Sequence, residues 1–137
     1  MISVELARRL RDGGLKWTPA PGDRFVVADR DMDDDVFTLS EMTVDVHNFP
    51  SGAVIAFNGT TEWALDSIDE RQSIWLPSET QLREGLAGTF RRLEREDGRW
   101  QVTIDVSGRS VSVGHDDAAE AYGLALLHLV TGEDVAA

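Results

Sequence analysis

The chain has no cysteine. Disulfide scaffolds, thiolate zinc sites, iron-sulfur clusters and cysteine nucleophiles are thereby excluded together. Positive charge is also scarce: 13 basic residues, of which only Lys16 is a lysine, stand against 25 acids, for a net charge of −12. Such a surface repels nucleic acid and anionic lipid and steers basic partners toward it. Long apolar runs are missing as well. The longest, Ala121 to Val130, is about half of what a bilayer span requires and contains His128. Glu5, Arg8 and Arg9 fall within the first ten residues, where no apolar stretch or small-residue cleavage pattern occurs, so the start does not read as a signal peptide. A cytoplasmic location, with no membrane and no nucleic acid as partner, is the expectation.

What is present suits one compact α+β domain over residues 1–137, with 1–70 and 76–132 as candidate subdomains, because 137 residues at 42% apolar content suffice for a single substantial core. The expected order is a helix plus an antiparallel meander in the N-terminal half, then helix, three-stranded meander and helix in the C-terminal half. Ser3 caps a first helix that puts Val4, Leu6, Ala7 and Leu10 on one face and stops at Gly13-Gly14. After the rigid Trp17-Thr18-Pro19-Ala20-Pro21-Gly22 loop, strands are predicted at Arg24 to Ala28, Val36 to Ser40, Thr43 to His47 and Ala53 to Phe57. A short helix is predicted through Trp63 and Ile68. Ile74-Trp75-Leu76-Pro77 reads as a link between the halves.

The C-terminal half carries the stronger signals. Ser78 and Gln81 form a capping box for a helix through Leu82 and Leu86. Asp97-Gly98 supplies the positive φ angles of a type I′ turn between Phe90–Glu96 and Arg99–Val106. Trp100, Val102, Ile104 and Val106 alternate with Gln101, Thr103 and Asp105, which gives one apolar face. Ser107-Gly108 turns into a third strand with Val111 and Val113 inward. Asp117 and Glu120 suggest a second capping box, opening a nearly all-apolar helix from Ala118 to Val130. This element order is shared with double-stranded-RNA binders, but the helix start His115-Asp116-Asp117 has the wrong charge for phosphate.

Several motifs, among them Ile2-Ser3-Val4-Glu5-Leu6-Ala7, Trp17-Thr18-Pro19, Phe57-Asn58-Gly59-Thr60-Thr61-Glu62-Trp63 and Ala121-Tyr122-Gly123-Leu124-Ala125, give the chain its family likeness. It resembles, over nearly its whole length, a small family of bacterial cytosolic proteins, mostly from actinomycetes, some of which carry a pilus-assembly label. That label implies a nucleotide-binding ATPase, and the glycine-lysine phosphate loop such an enzyme needs is absent here. The resemblance implies no activity, ligand or catalytic residue. The C-terminal hairpin and alanine-rich helix are also similar, at motif level, to antitoxin-type domains with a partial ribonuclease H fold.

Asp29 to Asp35 holds five carboxylates in seven residues. With Asp31, Asp33 and Asp35 as the first ligands of a calcium loop, the required glycine would fall on Val36 and the closing glutamate on Met42, so a solvated acidic loop is expected instead. His47, His115 and His128 are too scattered for a ligand set, and Gly108-Arg109-Ser110-Val111-Ser112 lacks the second glycine of a nucleophile elbow. No catalytic, cofactor-binding or metal residue is assigned. Arg91, Arg92, Arg95 and Arg99 form the one basic patch, suited to an acidic partner, to Asp31, Asp33 and Asp35 of a second copy, or simply to Glu94 and Glu96 on the same hairpin. The expectation is therefore a non-enzymatic protein-binding or regulatory module, with a protein partner or self-association. Two alternatives remain: an acidic inhibitor mimicking nucleic acid toward a basic protein, and an enzyme whose site gathers His47, His115 and acids.

Overall fold

A computed structural model describes residues 1–27, 36–39, 45–49, 52–56, 67–69 and 73–132. They form an α+β fold whose elements, in chain order, are α1 (Val4–Asp12), β1 (Arg24–Val27), β2 (Phe37–Thr38), β3 (Asp45–Phe49), β4 (Gly52–Ala56), β5 (Ser67–Asp69), β6 (Ser73–Leu76), α2 (Glu79–Leu86), β7 (Phe90–Glu96), β8 (Arg99–Val106), β9 (Arg109–His115) and α3 (Ala118–Thr131). A single 3-10 turn at Ala87–Thr89 joins α2 to β7. Contacts divide the chain into two units, residues 17–76 and a second one that unites 1–16 with 77–137. The division falls between Leu76 and Pro77, and α1 groups with the C-terminal elements.

In the unit of residues 17–76, one sheet has the order β2-β1-β6 and another the order β3-β4-β5, all antiparallel. Ile74-Trp75-Leu76, expected as a link, is strand β6, with Phe25 opposite Trp75 and Val26 opposite Ile74. Its apolar residues are a strand's burial pattern, because three of the four residues of β6 are buried. Phe25, Val27 and Leu39 make the core of this sheet, and Trp17 and Phe37 pack on it. Trp17 stacks on Trp75 with ring centroids 6.3 Å apart and 9° between planes. The two tryptophans thus hold the proline loop against the sheet. In β5, Ile68 pairs with Ile55 of β4, so Ile68, expected in a helix, is in a strand; residues 57–66, where that helix was expected to begin, lie outside the described ones.

The unit that holds the C-terminal elements follows the sequence closely. The β7-β8-β9 meander has the predicted turns, with φ of 52° and 77° at Asp97 and Gly98, and 53° and 81° at Ser107 and Gly108. The Ser78–Gln81 capping box is formed. Val102 and Ile104 of the central strand are completely buried, as are Leu82 and Leu86 of α2. Helix α3 packs on β8 and β9 and is itself packed by α1 and α2, which explains why seven of its residues are buried although it shows no clear polar face. Glycines permit this closeness: a Cβ at Gly123 would lie 2.6 Å from the Leu6 side chain of α1, and one at Gly85 would lie 3.2 Å from Leu126.

The second capping box is not what forms. Asp117 does cap α3, accepting from the Ala119 amide at 2.9 Å. Glu120, however, reaches across to α1 and accepts from the Ser3 amide, with its other oxygen 3.5 Å from the Ser3 hydroxyl. Ser3 in turn caps α1 through the Leu6 amide at 3.1 Å. A carboxylate there suits the positive end of the α1 dipole as well as it would that of α3.

Candidate functional site

The four arginines of the meander do not share one face. Side chains alternate along a strand, and Arg92 stands opposite Thr103 whereas Arg95 stands opposite Trp100, an odd spacing that puts the two on opposite sides of the sheet. Arg91 falls where the β7–β8 register shifts, and it donates to the Gly88 carbonyl at 2.9 Å and approaches Asp105 at 3.5 Å. Arg92 pairs with Glu94 at 3.0 Å. The Arg95 guanidinium lies 5.3 Å above the Trp100 ring. Arg99 donates to the Gly114 carbonyl at 3.0 Å and sits 3.5 Å from Asp116. Each arginine therefore has a partner within its own unit, from strand, turn or helix start. Asp31, Asp33 and Asp35 lie outside the described residues.

The histidines belong to different elements or element ends. His115 is half-buried and its Nδ1 accepts from the Asp117 amide at 3.0 Å, a local bond at the start of α3. His128 is in the last turn of the same helix, about 15 Å along the axis from its first residue, Ala118, and so from the helix start at which His115 stands. His47 is in β3, opposite Val54. Among the described residues no three His, Asp or Glu side chains gather as metal ligands would, and no helix is long and apolar enough to cross a membrane.

A different feature of the meander stands out at its edges. Strand β7 closes one side with Arg91, Arg92, Glu94, Arg95 and Glu96 among its seven residues, and with the register shift at its start. Charge and irregularity of this kind prevent a free edge from pairing with another chain. Strand β9 closes the other side with Arg109-Ser110-Val111-Ser112-Val113-Gly114-His115, which has no charged residue between its first and last positions and no proline. Its register with β8 is regular throughout, from Val106 opposite Arg109 to Trp100 opposite His115.

Which of its backbone groups are free follows from the turn. A two-residue turn is closed by a hydrogen-bonded pair, and bonded and non-bonded pairs then alternate. Arg109, Val111, Val113 and His115 accordingly spend their N–H and C=O on β8, and Ser110, Ser112 and Gly114 turn theirs to an edge that has no neighbouring strand among the described residues, where the Gly114 carbonyl already accepts from Arg99. Ser110 and Ser112 are exposed, and the Ser112 hydroxyl is 3.0 Å from that of buried Thr103. On the helix side of the same edge lies a groove of about 520 Å³ lined by Val106, Arg109, Val111, His128 and Gly132 among others.

The reading of Val111 and Val113 as inward residues holds, since Val113 is 1% exposed. That their strand ends the sheet was not visible in the sequence, although the uncharged Ser-Val-Ser-Val-Gly alternation was available as a signal. No family model matches this chain, and no curated protein or solved structure matches it.

Proposed function

We infer that this protein is a binding module that acts by pairing a strand of another protein chain with the open edge of β9. What supports the reading is the contrast between the two edges of one sheet: β7 is charged and irregular, whereas β9 pairs regularly with β8, has no charged residue between Arg109 and His115, and turns outward the amides of Ser110, Ser112 and Gly114 and the carbonyls of Ser110 and Ser112. Strand addition of this kind takes its affinity from backbone bonds and its specificity from neighbouring side-chain pockets. The groove by Val111 and His128 is placed to serve as such a pocket.

Replacing Ser110 by proline tests this directly. The Ser110 amide faces away from β8, so Ser110→Pro removes an outward donor and leaves the internal ladder whole. Tagged wild-type chain recovered gently from native lysate should appear in native mass measurement as a complex of defined stoichiometry, and the variant, with unchanged circular dichroism, should lose it. Recovery of the wild-type chain as a bare monomer would overturn the reading.

A further inference from the structure

We propose that the strand received by β9 is β9 of a second copy, so that two chains join in a symmetric dimer with one continuous six-stranded sheet. This rests on the reading of β9 as a pairing edge and names its partner. An isologous contact requires a surface complementary to itself, and the outward groups of β9 meet that requirement. Antiparallel pairing about Ser112 sets Ser112 against the partner's Ser112 and Ser110 against the partner's Gly114, with outward backbone groups on both strands. Each of these three opposed pairs exchanges two backbone bonds, the Gly114 carbonyl, which already accepts from Arg99, taking the partner's Ser110 amide on its second lone pair, and the small Ser and Gly side chains offer no obstacle on that face.

The side chains of the other face match as well. Val111 would lie opposite the partner's Val113, extending the apolar row that Ile104 and Val102 begin within each chain. Val111 is half-buried and borders the groove, so it has surface left to cover. At each end Arg109 would stand opposite the partner's His115, beside the acidic helix start Asp116-Asp117. Two copies with a net charge of −12 each repel one another over most of their surfaces. At this edge a cation meets the partner's carboxylates twice, once at each end of the ladder. The register is fixed by that match: a shift of one residue would put Val111 on the partner's outer face, against serine.

The absence of cysteine makes a register test simple. Opposed residues in a hydrogen-bonded antiparallel pair have Cα atoms about 5.5 Å apart, within the range a disulfide spans. Purified wild-type chain should sediment as a dimer, and Ser112→Cys should become a covalent dimer on mild oxidation. Ser110→Cys is the control, because the two copies of position 110 would be offset by about 13 Å along the strand. It should cross-link at least about tenfold more slowly, its thiols lying beyond bridging distance. Wild-type chain that stays monomeric at every concentration, or a Ser110→Cys variant that cross-links as fast as Ser112→Cys, would overturn the proposal. Should purified chain be monomeric while Ser110→Pro still abolishes a complex recovered from lysate, self-pairing fails and the binding-module reading stands.

Discussion

Asp23 shows how much a single buried side chain can hold together. It is 5% exposed, and its Oδ2 accepts from the Trp17 indole at 2.9 Å and from the Ala20 amide at 3.0 Å. Its backbone accepts from the Leu39 amide at 2.9 Å, which continues the β1–β2 ladder beyond the strand itself. One residue thus ties the proline loop, the tryptophan stack and the sheet. Hydrogen bonds to a charged acceptor contribute roughly 1.5–3 kcal/mol each, and donors left buried without a partner cost more than the bond was worth. Asp23→Ala should therefore lower stability by about 3 kcal/mol in chemical denaturation and weaken the near-ultraviolet circular dichroism of the Trp17–Trp75 stack. Asp23→Asn keeps an acceptor oxygen and should cost about a third of that. Equal stability of the alanine variant and wild type would show that the carboxylate holds nothing. None of this was legible in the sequence, where Asp23 reads as one more acid in an acidic chain. Its partners are three and six residues away, but only the folded loop turns them toward it.

At the scale of elements, what the sequence conveyed was local. The Asp97-Gly98 turn, the Ser78–Gln81 box and the Ser3 cap depend on residues within four positions of one another, and each formed as read. The Asp117–Glu120 box was read by the same rule and did not form, because the Ser3 amide of α1 competes for the same carboxylate. A distant donor is invisible to a local rule. The packing of α1 on α3 carries a prediction of unusual sign. Alanine is favoured over glycine in a helix by about 1 kcal/mol, whereas forcing a methyl into a close-packed contact costs roughly 1–3 kcal/mol. Because the new Cβ would meet Leu6 at 2.6 Å, Gly123→Ala should destabilise the chain by about 1 kcal/mol. In a Leu6→Ala background the clash is gone and the same change should stabilise by about 1 kcal/mol. Denaturant midpoints for the four chains of this cycle test it, and a Gly123→Ala effect of one sign in both backgrounds would refute the contact.

For the whole molecule, the two units and the net charge matter most. Helix α1 begins the chain yet completes the unit formed by residues 77–137, so that unit closes only when both ends of the sequence meet. The ion pairs described on its meander are exposed, between 37% and 86% of side-chain surface for the acids concerned, and pairs of that kind contribute little. Repulsion among 25 carboxylates against 13 cations is the larger electrostatic effect. Raising salt from about 10 mM to about 150 mM shortens the Debye length from roughly 30 Å to 8 Å. The melting temperature should rise by a few degrees, and the Ser110→Pro variant is the chain to measure, since strand pairing cannot then contribute. A melting temperature that falls with salt would mean that the ion pairs outweigh the repulsion.

The sequence by itself determined the α+β class, the helix starts at Ser3 and Ser78, both turns of the meander and the inward face of β8, because periodicity, caps and positive-φ turns act over a few residues. The tertiary structure alone decided that Ile74-Trp75-Leu76 is a strand, that α1 lies on α3, that Glu120 caps the other helix and that the meander arginines are divided between two faces. It also decided that β9, among the described residues, has a strand neighbour on one side alone. Strand neighbours, helix docking and edge exposure are set by residues far apart in the chain, and their energies come from burial and backbone pairing that no local pattern encodes.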